Sequence, residues 1–127
     1  MSHMGYEATT FGNHEFDLGP EGLGKAIGVA SKTGRIPAVL SANTDFAGSD
    51  ATLVGLQQLS KAGTVRRYLV IERGGIRFGL FGVLGKEAKF YTGGAGAVKS
   101  LDPVESAKAA PGKRGGKKKI TPMDCVW

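Results

Sequence analysis

Near the start of the chain, Gly12-Asn13-His14-Glu15-Phe16-Asp17 sets an amide, an imidazole and two carboxylates within five consecutive positions, Asn13 to Asp17. Those side chains suit metal-assisted or proton-transfer chemistry. The Asn13 oxygen is a modest ligand for a divalent ion. His14 can ligate a metal or move protons near neutral pH. Asp17 lies three residues further on, so in a tight turn its carboxylate can accept a hydrogen bond from one imidazole nitrogen and fix the tautomer. Gly12 allows a sharp turn or a close approach to a ligand. The same spacing also suits an Asx-type turn, in which Asn13 and Asp17 bond nearby backbone and His14 is merely exposed.

The flanking elements decide whether such a cluster can work. Residues 6–11 read as a short strand of apolar and β-branched residues. Pro20-Glu21 suits a helix start, with proline early and a carboxylate at the positive end of the dipole. Leu23, Ile27 and Ala30, with Ala26 alongside, carry helical spacing up to Thr33-Gly34. Gly22, Gly24 and Gly28 weaken that helix by up to about 1 kcal/mol each, so packing must hold it. A strand, then a polar turn, then a helix is where α/β proteins place ligands.

Pro37 to Ala42 reads as a second strand. Its Ala38-Val39-Leu40 has no alternation, as expected of a parallel strand covered on both faces. Asn43 and Asp45 come off its end, where a parallel sheet carries ligands; a polar turn is the favoured account of them. A short helical piece is predicted at Leu53–Leu59. Tyr68-Leu69-Val70-Ile71, then Gly74-Gly75, then residues 76–83 read as a β-hairpin, with Arg66, Arg67, Arg73 and Arg77 on its solvated side. Asp102-Pro103 is an N-cap and first turn for a helix to about Ala110.

At 127 residues the chain holds one small domain. Glycine takes 21 positions, more than double its usual share of roughly 7%, which predicts a loop-rich fold of limited stability. Residues 111–127 carry five basic residues against one acidic, a net +4 of the total +6. The basic character therefore belongs to a glycine- and lysine-rich tail, predicted to be disordered, and gives no argument for nucleic-acid binding by the domain. The single Cys125 rules out an internal disulfide and reads as an exposed thiol. No apolar run approaches the ~20 residues of a membrane span. Met1-Ser2-His3-Met4 resembles a residual expression tag, so the native start and any targeting segment are expected outside this sequence.

The cluster resembles the central signature of the calcineurin-like metallophosphoesterases, specifically their 5′-nucleotidase branch. The resemblance continues in order through about residues 5–110. Gly5 to Thr10 resembles that branch's lead-in strand, and Leu40-Ser41-Ala42-Asn43 its next strand. Tyr68 to Leu84, with Ile71-Glu72-Arg73-Gly74-Gly75 at its centre, resembles the following hairpin. Asp102-Pro103-Val104-Glu105 resembles the start of a later helix. The resemblance implies an α/β fold: part of a β-sandwich flanked by helices, with the strand-turn-strand hairpin near 68–83. It implies a pair of divalent metals (Mn, Zn, Mg or Ca) and hydrolysis of nucleotide phosphate esters. It also implies a role for Asn13 as a metal ligand and for His14 as the imidazole that stabilises the transition state or protonates the leaving alkoxide. Asp17 would orient that histidine, Glu15 and Phe16 would shape the loop, and Asn43 is a weaker substrate-binding candidate. A periplasmic or extracellular location fits the same family.

The family's Asp-x-His and Gly-Asp motifs are expected before Gly5, and its Gly-His and Gly-His-x-His motifs after the helix at Asp102; neither set is present in this sequence. The expectation is thus a catalytically incomplete partial domain over residues 5–110, between the tag remnant (1–4) and the basic tail (111–127). The alternative is a non-catalytic interaction module. It would form an edge-paired or domain-swapped homo-oligomer through a sheet edge left open.

Overall fold

A computed structural model of the chain describes residues 5–88 and 94–109. The tail at 111–127, Cys125 and residues 1–4 lie outside them. The first strand, β1 (Ala8–Thr10), is followed by a 3₁₀ turn (His14–Phe16) and helix α1 (Gly19–Thr33). Next come β2 (Ala38–Leu40), β3 (Thr44–Asp45), a second 3₁₀ turn (Ala51–Leu53), α2 (Val54–Lys61) and β4 (Val65–Arg66). The hairpin strands β5 (Tyr68–Arg73) and β6 (Ile76–Phe81), then β7 (Lys99–Ser100) and α3 (Pro103–Ala109), complete the order. The fold is mixed α/β, as the sequence predicts.

β1, β2 and β4 form a parallel sheet with β2 in the middle, Thr9 opposite Val39 and Val39 opposite Val65. Val39 and Leu40 are consecutive and both buried, so β2 is covered on both faces. The helices supply one cover. Phe11, Phe16, Leu23, Leu56, Leu59 and Val65 share one core with Val39 and Leu84, and Ile27 packs on it.

β5 and β6 pair from Tyr68–Phe81 to Arg73–Ile76. Gly74 and Gly75 close the hairpin at φ +58 and +77, the left-handed pair that a two-residue turn needs and glycine adopts without strain. The second strand stops at Phe81 because the chain there leaves its partner: the Gly82 carbonyl accepts from the Ala42 amide at 2.7 Å. A Cβ on Gly82 would lie 2.2 Å from Thr10 Oγ1 and 2.6 Å from the Leu40 carbonyl, so this residue lets the hairpin approach the parallel sheet.

Two features depart from expectation. Arg66, Arg67, Arg73 and Arg77 are solvated, but three of them are also tied down. Arg66 Nε donates to the Gly63 carbonyl at 2.6 Å, Arg67 Nη2 donates to the Ala42 carbonyl at 2.7 Å, and Arg73 pairs with Glu7. Gly24, read as a weak point of α1, is buried at the crossing with α2. A Cβ there would come within 3.3 Å of the Gly55 backbone, so these two glycines set how closely the helices approach.

Candidate functional site

The Asn13–Asp17 turn hangs from the C-terminal end of β1 and leads into α1. Its fixed point is Phe16, only 1% exposed, whose ring meets that of Phe11 edge-on at 5.5 Å between centroids. One aromatic in the core thus turns its neighbours outward. The backbone closes with the Phe16 amide on the Asn13 carbonyl at 3.3 Å and the Asp17 amide on the His14 carbonyl at 3.1 Å. Glu15 folds back so that its Oε2 accepts from the Gly12 amide at 2.7 Å, the loop-shaping part expected of it.

His14 and Asp17 project into solvent with side chains 81% and 56% exposed. His14 Nδ1 lies 2.9 Å from Asp17 Oδ2. This bond gives Nδ1 the donor role and leaves Nε2 directed away from the carboxylate. Asn13 has right-handed helical backbone angles, and its side chain does not cap the turn. The Asx arrangement that the spacing also allowed is therefore not formed. Asn13 contributes an amide, and Asp17 spends its carboxylate on the imidazole.

Asn43 is not where a substrate contact belongs. It is fully buried, and both ends of its amide are engaged. Nδ2 donates to the carbonyls of Leu84 at 2.8 Å and Leu101 at 3.3 Å, and Oδ1 accepts from the Leu84 amide at 2.7 Å. Asn43 therefore links the end of β2 to the chain at residues 84 and 101. Asp45 takes the polar-turn alternative, its Oδ1 accepting from the Ala47 amide at 2.9 Å. Beyond the same ends of β2 and β4 lies an open cavity of about 870 Å³, with Thr44, Asp45, Lys61, Arg66 and Tyr68 among its lining. No linear motif marked it, because its residues come from three separate segments, 41–47, 57–61 and 65–68.

A metal pair needs several oxygen and nitrogen donors converging from different loops, including a bridging carboxylate. Asn13 offers one neutral oxygen, a weak ligand alone. Among the described residues, no group of three or more His, Cys, Asp or Glu is gathered so as to hold an ion. The donors present do not fit a metal pair.

No family model matches the chain, and no curated protein matches it in sequence. Among solved structures, the 5′-nucleotidase precursor from Thermus thermophilus aligns with it at TM-score 0.64 and 33% identity, over 86% of this chain. Over 86% of its length the chain is similar to a calcineurin-like metallophosphoesterase of the 5′-nucleotidase branch. A second member of this metallophosphoesterase family, the NAD nucleotidase (NadN) of Haemophilus influenzae, aligns at TM-score 0.62 and 25% identity, again over 86% of this chain. The chain spans 19% and 17% of the lengths of these two proteins. No described helix is long and apolar enough to cross a membrane.

Proposed function

We propose that this chain carries the Asn13–His14–Asp17 loop of a metal-dependent nucleotide phosphoesterase and is, by itself, catalytically incomplete. The observation that carries the reading is the 2.9 Å contact between His14 Nδ1 and Asp17 Oδ2, displayed on a turn anchored by Phe16. As an imidazolium such a pair presents an Nε2–H to the leaving alkoxide, which takes that proton as the P–O bond breaks and leaves the neutral ring with its proton on Nδ1. Asp17 holds the Nδ1 proton, so Nε2 is the nitrogen that gives its proton up, as second partners of catalytic imidazoles arrange. The relatives act on 5′-nucleotides and NAD according to their names, which makes a nucleotide phosphate ester the substrate class. The metals belong to the complete domain.

Two experiments test this. In the first, the purified chain is assayed on nucleoside monophosphates with manganese. The expected result is no hydrolysis above that of His14→Ala; turnover that His14→Ala abolishes would show a complete site. In the second, residues 5–109 replace the matching segment of the Thermus protein. The folded chimera is expected to hydrolyse nucleotides, and His14→Ala within it to lower kcat by roughly 10²–10⁴-fold, the worth of a positioned acid or base. An unchanged rate in that variant would remove His14 from the machinery.

A second reading, an edge-paired oligomer, is supported by one feature. Among the described residues β1 pairs only with β2, leaving its outer edge with unpaired backbone groups.

A further inference from the structure

Asn43 ties the chain at Leu84 to the chain at Leu101. Its Nδ2 donates to the Leu84 and Leu101 carbonyls, its Oδ1 accepts from the Leu84 amide, and its own carbonyl accepts from the Leu101 amide at 2.7 Å. Residues 94–98 form a strap. Ala95 and Val98 pack against the core, the Val98 amide donates to the Ala95 carbonyl at 3.0 Å, and β7 then pairs with β3.

The strap lies against the backbone of the functional turn. A Cβ on Gly94 would stand 2.2 Å from the Phe16 carbonyl oxygen and 3.3 Å from that of Asp17. Further along, a Cβ on Gly96 would rest 3.6 Å from Pro20 Cδ, in ordinary contact. Only position 94 is too close for any side chain, and it is too close to the backbone that aims Asp17. Phe16 is held by the core, so an added carbon at 94 must either lift the strap or rotate the Phe16–Asp17 peptide. Rotation would swing the Asp17 carboxylate away from His14.

We infer that Gly94, in a strap rooted by Asn43, is a positioning residue for the His14–Asp17 pair. The inference rests on the reading of that pair as the proton-handling unit. Neither residue touches the reacting atoms. Both act by holding the turn, and no short motif places either of them beside it.

The test reads the imidazole directly. In the full chain carrying His3→Gln, so that His14 is the single histidine, nitrogen-15 NMR reports which ring nitrogen bears the proton. The unaltered turn is expected to show the Nδ1-protonated neutral ring. Gly94→Ala is expected to lose that signature while the amide spectrum stays that of a folded chain. Gly24→Ala, which crowds the helix crossing instead, is expected to keep it. Retention of the Nδ1 proton in folded Gly94→Ala overturns the inference while leaving the pair intact. Its absence from the unaltered turn overturns the pair itself, and the inference with it. Should Gly94→Ala fail to fold, Val98→Ala decides. It loosens the strap without adding an atom near the turn, so loss of the signature supports the inference and retention overturns it.

Discussion

Phe16 and Asp17 are adjacent, yet substitutions at the two should behave oppositely. Phe16 is buried against Phe11 and carries the turn into the core. Phe16→Ala is expected to cost about 3–5 kcal/mol, the usual range for a large aromatic removed from a packed site. Urea denaturation followed by circular dichroism would measure it, and a loss below about 1 kcal/mol would contradict the anchor. Asp17 is more than half exposed and bonds only an exposed imidazole. Asp17→Ala should leave stability within about 0.5 kcal/mol, because exposed pairs contribute little. Its effect belongs to the His14 tautomer, so the two variants separate holding the turn from using it.

At the scale of elements, contacts are set as much by missing side chains as by present ones. The hairpin meets the parallel sheet at Gly82, where a Cβ would overlap Thr10 and the Leu40 carbonyl. Gly82→Ala is therefore expected to destabilise the chain by about 1–3 kcal/mol, the ordinary cost of overpacking. A midpoint unchanged in urea would mean that hairpin and sheet are not in register as described. Helix α3 gives the pH dependence. Asp102 accepts from the Glu105 and Val104 amides and pairs with Lys86 at 3.1 Å. These contacts, the Glu105 amide foremost, hold its carboxyl below the usual aspartate range. A depressed carboxylate contributes its stability above the unfolded value of about 3.9, and that contribution is lost as the pH falls through the folded value. Amide exchange in residues 103–109 should accelerate there, and Asp102→Asn should flatten the change. The Asp50 carboxyl, lowered by its bonds to the Thr52 hydroxyl and amide, adds an effect of the same sign at the second 3₁₀ turn.

For the whole molecule, the decisive residue is Asn43. Asn43→Ala would leave the Leu84 amide and the Leu84 and Leu101 carbonyls without their partner in the interior. At about 1–3 kcal/mol for each buried unsatisfied group, that loss rivals the whole stability of a small domain, and the chain is expected to unfold at room temperature. A folded variant with wild-type melting would show that water replaces the side chain. Association is tested at the same scale. Pairing along the open edge of β1 predicts a dimer in solution scattering at high concentration, dissociated by Ala8→Pro, since the Ala8 amide faces away from β2 and proline cannot donate to a ladder. A chain that stays monomeric throughout would remove the edge-paired reading.

What could be read directly from the sequence was local. Asn13, His14 and Asp17 fall within one turn, so their spacing alone allowed the hydrogen bond that the structure contains. Gly74-Gly75 announced the hairpin because a two-residue turn needs left-handed backbone that glycine supplies. Unalternating Ala38-Val39-Leu40 announced a strand buried on both faces. What only the tertiary structure decided was the direction of Asn43 and the purpose of Gly24, Gly82 and Gly94. Asn43 reaches 41 and 58 residues along the chain to its partners. The glycines matter for the backbone that fills the space where a side chain would be. Spacing in a sequence encodes contacts within a turn or a helix, and it is silent about which distant segment will lie against a given residue.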